Sequence, residues 1–279
     1  MIYDFGNKKY DLSSRTFVMG ILNITPDSFS DGGKYFDGNV ILEKVIEDAL
    51  RMEAEGADFI DVGGESTRPG SENITADEEL ERVIPVIESI KKKINIPVSI
   101  DTYKSHVAEE ALKAGACIVN DISGFRFDDK TAEVTSKYNA GCILMHIKGT
   151  PKDMQKNPVY VNVVQEVYDY LEYSISIAKN FGIEQIITDV GIGFGKSPEH
   201  NLELIRNLKE FTKLGYPVLL GVSRKSFINK IYPSDINNRL EGTIAANVIG
   251  IMNGANIIRV HDIKENIKAV KITDRILFK

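Results

Sequence analysis

The chain has 279 residues, 43% of them hydrophobic and 27% charged, a balance expected of a soluble enzyme with a substantial core. Its net charge of −6 argues against a general nucleic-acid binder, whose basic surface must neutralise phosphates. No apolar run approaches the roughly 20 residues that span a bilayer, and the opening MIYDFGNKKYDL lacks the basic and apolar regions of a secretory signal, so a cytoplasmic protein with no membrane contact is expected. Cys117 and Cys142 each start a predicted strand, and two cysteines make no disulfide framework, so both read as buried thiols.

Residues 1–12 read as a β-hairpin turning at Gly6-Asn7, placed to cover the bottom of whatever follows. Strand Phe17–Asn23 comes next, then a loop rich in turn residues, ITPDSFSDGGKYFDG, long enough to suggest a functional lid. A helix over Val40–Glu55 carries Ile41, Val45, Ala49 and Met52 on one face, and Gly56 closes it. The run DFIDVGGES leads into a second long loop, ESTRPGSENITA, where Thr75 and Glu78 form a capping box for the next helix. PVSID runs into a helix over Lys104–Lys113 stopped by Gly115, and CIVND into a short helix over Thr131–Tyr138. CILMH leads to an irregular stretch and a helix over Val161–Asn180, and IITD to a helix over Pro198–Lys213. After PVLLGVSRK, Ser223 is expected to cap a short helix carrying Arg224, Lys225 and Ser226. A helix over Arg239–Met252 precedes the last run, IIRVH, and Asp262 and Glu265 supply the acidic first turn of a final helix.

Eight apolar runs with a helical pattern in each gap describe an α/β chain folded as a single (β/α)8 barrel, one domain over residues 1–279. Every run stops at a polar or charged residue, and chemistry in that fold sits at the C-terminal ends of strands. Asn23, Asp61, Glu65, Asp101, Asn120, Asp121, His146, Asp189, Ser223, Arg224, Lys225, Arg259 and His261 therefore form a candidate site.

Within it, Asp101, Asn120 and Asp189 converge as hydrogen-bond acceptors suited to an N–H-rich edge such as an aminopyrimidinone, unless each merely caps a helix or pairs with a lysine. Arg224, Lys225, Arg259 and His261 form a basic corner at the last two strands, where barrels often bind phosphate. Asn23 offers one neutral oxygen to a hard cation such as Mg²⁺. His146 lacks such company and reads as structural. GIGFGKS misses a P-loop because Val190 stands where its first glycine is needed; its glycines read either as a tight turn or as a place of close ligand approach.

These residues lie in strings that resemble the dihydropteroate synthases: MGILNITPDSFSDGG (19–33), DVGGESTRPG (61–70), SIDTYK (99–104), VNDISG (119–124), LMH (144–146), GIGFGK (191–196), GVSRKSF (221–227) and RVHD (259–262). The resemblance runs in order along nearly the whole chain, and its first two strings and SRKSF are highly specific. It implies that 6-hydroxymethyl-7,8-dihydropterin diphosphate condenses with 4-aminobenzoate. By that resemblance Asp101, Asn120, Met145, Asp189 and Lys225 hold the pterin, and Asn23 binds Mg²⁺. Asn23, Thr67, Arg68, Arg259 and His261 hold the diphosphate, while Thr67, Pro69, Phe194, Lys225 and Ser226 border the aminobenzoate. Asp101, Lys225, Arg259 and His261 are then the catalytic set, and a homodimer through the late helices is implied. Val190 departs from the family's usual proline, and Ile147-Lys148 from its usual Met-Arg, beside the expected contacts.

Three other readings use the same residues. A corrinoid-dependent methyltetrahydrofolate methyltransferase shares the acidic pterin pocket but has no use for Arg259, His261 or the TPDSFSDGG loop. A catalytically silent pterin-binding paralogue would lack a site position, and none is missing. A Schiff-base aldolase using Lys225 requires a desolvated lysine of depressed pKa.

Overall fold

The computed structural model describes residues 1–6, 8–25, 35–37 and 39–277. The predicted lid at 26–34 and Asn7 of the expected hairpin turn lie outside the described residues.

The chain opens with the antiparallel hairpin β1 (Ile2–Phe5) and β2 (Lys8–Asp11). Next come β3 (Phe17–Asn23) and a two-residue pair, β4 (Phe36–Asp37) with β5 (Asn39–Val40). Strand and helix then alternate: α1 (Leu42–Glu55), β6 (Phe59–Gly63), α2 (Ala76–Lys91), β7 (Val98–Asp101), α3 (Ser105–Ala114), β8 (Ile118–Asp121) and α4 (Lys130–Lys137). The second half continues with β9 (Gly141–Met145), α5 (Val163–Asn180), β10 (Ile186–Asp189), α6 (Pro198–Arg206), β11 (Val218–Leu220), α7 (Ser226–Ile231), α8 (Leu240–Met252), β12 (Ala255–Val260) and α9 (Ile263–Leu277). The strands β3 and β6 to β12 pair in parallel, and β12 returns to β3, so the barrel is closed. The expected (β/α)8 architecture with its N-terminal hairpin is present.

Local chemistry sets the helix ends. The Thr75 hydroxyl accepts from the Glu78 N–H, and the Glu78 carboxylate accepts from the Thr75 N–H, so α2 begins with the expected capping box. Gly56 and Gly115 end α1 and α3 in the left-handed conformation, at φ 104° and 115°.

Three expectations are corrected. The first helix starts at Leu42, because Val40 pairs with Phe36 in a small hairpin. The helix expected over Pro198–Lys213 ends at Arg206, where the Asn207 side chain and N–H both bond back to Glu203 O, and a 3-10 helix follows over Leu208–Leu214. Ser223 caps no helix. Its hydroxyl accepts from the His261 N–H, α7 begins only at Ser226, and Arg224 takes a left-handed turn at φ 55°, held by the Thr243 hydroxyl on its N–H and Arg239 on its carbonyl.

Side chains two residues apart on a strand share a face. In the lower barrel the inward set is apolar: Phe17, Met19, Phe59, Ile118, Ile143, Ile187, Leu219 and Ile257, all at most 3% exposed. Tyr3 and Phe5 of the hairpin pack onto this layer; the Phe5 and Phe59 rings meet edge to face at 5.8 Å, and the Tyr3 hydroxyl donates to Ile186 O at 2.8 Å. Burying each such side chain contributes about 1.5–3 kcal/mol. The bottom is thus plugged, and the chemistry is confined to the top.

Candidate active site

Following the same inward phase upward, the layer turns polar: Asp61, Ser99, Asp101, Asn120, Asp189 and Arg259 succeed the apolar ring. Arg259 reaches across the barrel. Its Nε donates to Asp61 Oδ2 at 2.6 Å and its Nη2 to Asp101 Oδ2 at 2.8 Å, while Asn120 Nδ2 donates to the same Asp61 oxygen at 2.9 Å. Asp61 Oδ1 and Asp101 Oδ1 are buried and accept no hydrogen bond from the described residues. Burial pushes the Asp101 carboxyl up to about 7, against the opposing pull of Arg259, whose guanidinium stays charged.

Above this floor opens a cavity of about 730 Å³. Asn23, Asp101, Arg259 and His261 line it from the strand ends. Thr67, Arg68 and Pro69 line it from the loop after β6, Phe194 from the loop after β10, and Lys225 and Ser226 from the start of α7. Asn120, Met145 and Asp189 lie just outside that lining, 4–6% exposed, at neighbouring strand ends. Every residue of the expected site therefore lies at one mouth. A second cavity, about 570 Å³, lies at the opposite end beside the hairpin.

The loops are tied in place. Glu65 accepts from Lys104 Nζ at 2.8 Å and from the Ile74 N–H at 3.1 Å, and Lys104 also reaches the buried Glu79 at 2.6 Å. The Gly70 N–H donates to Pro151 O at 3.0 Å, and Gln155 Nε2 donates to Gly193 O at 2.6 Å. The loop over 191–195 is set by sterics: a Cβ at Gly191 would lie 1.9 Å from His146 O, and one at Gly195 2.3 Å from Lys148 O. These two glycines admit neighbouring backbone, whereas Gly193 faces the cavity beside Lys225.

The basic corner is less cationic than its composition suggests. Arg224 forks onto Asp262, Nε to Oδ2 at 3.0 Å and Nη2 to Oδ1 at 2.5 Å. Arg259 is shared between two carboxylates. Burial, with Arg224, Arg259 and other cations around it, lowers the His261 pKa to about 3, so the imidazole is neutral. Its Nδ1 lies 2.9 Å from the Ser223 hydroxyl. Lys225 donates to Ile192 O, with its Nζ 4.7 Å from the centre of the Phe194 ring; burial lowers its pKa to about 8, and Asp189 opposes that shift.

Asp61, one of the expected strand endings, points inward in phase with Phe59 and Gly63, and its partner there is Arg259. Arg239, whose Nη1 donates to Arg224 O at the cavity edge, escaped the sequence reading and left no signal in it. His146 is buried with its Nδ1 2.8 Å from Lys196 Nζ, in keeping with a structural role. Among the described residues no group of three or more His, Cys, Asp or Glu is arranged to hold a metal, and none of the helices is long and apolar enough to cross a membrane.

Residues 19–261 match the family model for a pterin binding enzyme. The barrel and the acceptor-floored mouth thus define a pterin-binding (β/α)8 enzyme. The chain is 50% identical to a dihydropteroate synthase of Clostridium beijerinckii over 98% of both chains. It is similar to the solved Yersinia pestis dihydropteroate synthase in a sulfonamide drug complex, at TM-score 0.95, 38% identity and full coverage of both chains. It is also similar to the Xanthomonas albilineans dihydropteroate synthase solved with 4-aminobenzoic acid, at TM-score 0.91 and 37% identity over 100% of this chain and 98% of that one. The chain belongs to the dihydropteroate synthase family, whose members are transferases.

Proposed function

We propose that the cavity at the barrel mouth joins 6-hydroxymethyl-7,8-dihydropterin diphosphate to 4-aminobenzoate, giving 7,8-dihydropteroate and diphosphate. One observation carries the assignment of roles. Asp101 Oδ1 is buried at the cavity floor without a donor from the described residues, while Oδ2 is held by Arg259. A buried acceptor left unmatched costs about 1–3 kcal/mol. The N–H edge of a pterin supplies the match, with Asn120, Met145, Asp189 and Lys225 around the ring.

Thr67, Arg68, Arg259 and His261 receive the diphosphate, and Thr67, Pro69, Phe194, Lys225 and Ser226 border the aminobenzoate. The methylene C–O bond breaks with its electron pair leaving on the diphosphate. The arylamine nitrogen then bonds to the methylene carbon and sheds a proton. Asp101 stabilises the cationic character that develops at the methylene, and neutral His261 offers an N–H to the departing anion. The amine attacks as its free base, so no strong general base is needed. The walls from the loops after β6 and β10 screen the reactive intermediate from water.

Mg²⁺ fits this donor set on one condition. Asn23 contributes a single amide oxygen and no carboxylate cage is present among the described residues, so the ion must draw its other ligands from water and the substrate's phosphates. Bound there, it would offset the charge that grows on the diphosphate. The exposed Ile249 and Met252 of α8 and Ile272 and Ile276 of α9, on helices that pack together, support a homodimer. The free thiols Cys117 and Cys142 suit a cytoplasmic location.

The test is incubation with the dihydropterin diphosphate, 4-aminobenzoate and Mg²⁺. Dihydropteroate and diphosphate are expected in equal amounts, and absence of both overturns the reading.

A further inference from the structure

Lys196 follows the 191–195 loop, and its side chain is buried among that loop's own carbonyls. Its Nζ lies 2.9 Å from Gly191 O, 3.0 Å from Phe194 O and 2.8 Å from His146 Nδ1. Its Nζ also lies 3.4 Å from His146 O, so four polar partners surround an amine whose pKa burial holds well below the usual lysine value. Among the described residues Lys196 forms no ion pair, so it does not serve a surface charge network.

A full account of the loop's carbonyls gives the lysine its meaning. Gly191 O, which also accepts from the Phe194 N–H at 3.1 Å, and Phe194 O turn inward to Lys196. The remaining three turn outward: Ile192 O accepts from Lys225 Nζ, Gly193 O from Gln155 Nε2 at 2.6 Å, and Gly195 O from the Tyr160 hydroxyl at 2.7 Å. Gly191, Gly193 and Gly195 sit at φ 68°, 87° and 63°, and those left-handed steps let successive carbonyls face opposite ways. The inner pair is gathered around the buried amine. The outer face presents Gly193 and Phe194 to the cavity and an acceptor to Lys225.

We propose that Lys196 is a positioning residue for the aminobenzoate side of the cavity: by drawing Gly191 O and Phe194 O inward, it fixes the Phe194 wall and the acceptor that orients Lys225. The inference rests on the function proposed above. Most of the pterin floor, Asp101, Asn120 and Asp189, belongs to strand ends on the barrel itself, and Lys225 is the one pterin-side residue whose acceptor this loop supplies.

Steady-state kinetics of the full-length protein test it. Lys196→Ala should raise KM for 4-aminobenzoate by about tenfold or more, since sub-ångström to ångström misplacement of a binding wall is costly, while KM for the dihydropterin diphosphate changes by less than about threefold. Propylammonium chloride should restore the 4-aminobenzoate KM, and tetramethylammonium, which has no N–H, should not. His146→Leu removes the ring-nitrogen partner among the four and keeps the lysine; it should raise the same KM by about threefold, and it carries the test where Lys196→Ala does not fold. An unchanged 4-aminobenzoate KM in either folded variant, an equal rise in both KM values, or equal rescue by both cations overturns the proposal. A wild-type chain that makes no dihydropteroate refutes the functional reading; an active wild type whose variants match it refutes only the role of Lys196.

Discussion

Arg259→Met is the perturbation with the sharpest expected signature. The guanidinium is 19% exposed and bridges Asp61, whose side chain is fully buried, to Asp101, 13% exposed. Methionine keeps much of the volume and removes the cation, leaving two carboxylates facing each other in a poorly hydrated layer. Breaking a buried pair by deleting one partner costs about 3–5 kcal/mol. For 279 residues the unfolding entropy is about 0.6 kcal/mol/K, which makes the loss roughly 5–9 °C in Tm. The loss must also depend on pH. Burial raises the folded-state pKa of Asp101 to about 7, above the usual carboxylate value, so the folded chain holds that proton more tightly than the unfolded one. Its stabilising share is complete below the unfolded pKa and disappears as pH rises through about 7. Without Arg259 the proton is held more tightly still, so the deficit should be smaller at about pH 6 than at about pH 8.5. Differential scanning calorimetry at both pH values reads this directly. A Tm within about 2 °C of wild type at both, or a larger deficit at the lower pH, would refute the argument.

Asp101→Asn keeps the shape of the floor and removes its charge; it should weaken a pterin without phosphates by about 1.5–3 kcal/mol in titration calorimetry, and unchanged affinity would remove Asp101 from the pterin site. Because burial brings the Lys225 ammonium to about 8, kcat/KM should fall as pH rises through that value, and Lys225→Met should lose this alkaline limb; the limb persisting in the variant would assign it elsewhere. The same lowered pKa is what a Schiff-base lysine needs, so borohydride treatment with a carbonyl substrate is decisive: no mass gain is expected, and an adduct on Lys225 would favour aldolase chemistry. Met252→Glu with Ile272→Glu should halve the sedimenting mass, and a wild-type monomer would rule out the dimer.

The barrel was legible because its strands are short apolar runs that stop at polar residues, and because the runs are evenly spaced by helical patterns. Asn23, Asp101, Asn120, Asp189 and His261 fall at or just past strand ends, so position alone pointed to them. What position could not supply was pairing. Arg259 and Asp61 are almost two hundred residues apart in the chain and meet only because barrel closure sets β12 beside β3, one strand away from β6. Arg224 looked like a phosphate ligand until its left-handed turn aimed it at Asp262. Ser223 has a cap residue's chemistry but lies too far ahead of α7, and its hydroxyl serves His261 instead. Lys196 entered only as part of the string GIGFGKS, since burial of a lysine among carbonyls leaves no periodic trace. The split of α6 followed from one asparagine bonding back to its own helix, a local competition that a helical pattern conceals.

The aromatic plug has a practical corollary. The hairpin holds the chain's first residues against the end of the barrel farthest from the cavity mouth, with Met1 half exposed. A tether attached at Met1 therefore leaves from the sealed pole. Molecules anchored to a sensor chip or bead by that end would stand with their mouths toward the bulk liquid, and substrate would reach them unobstructed.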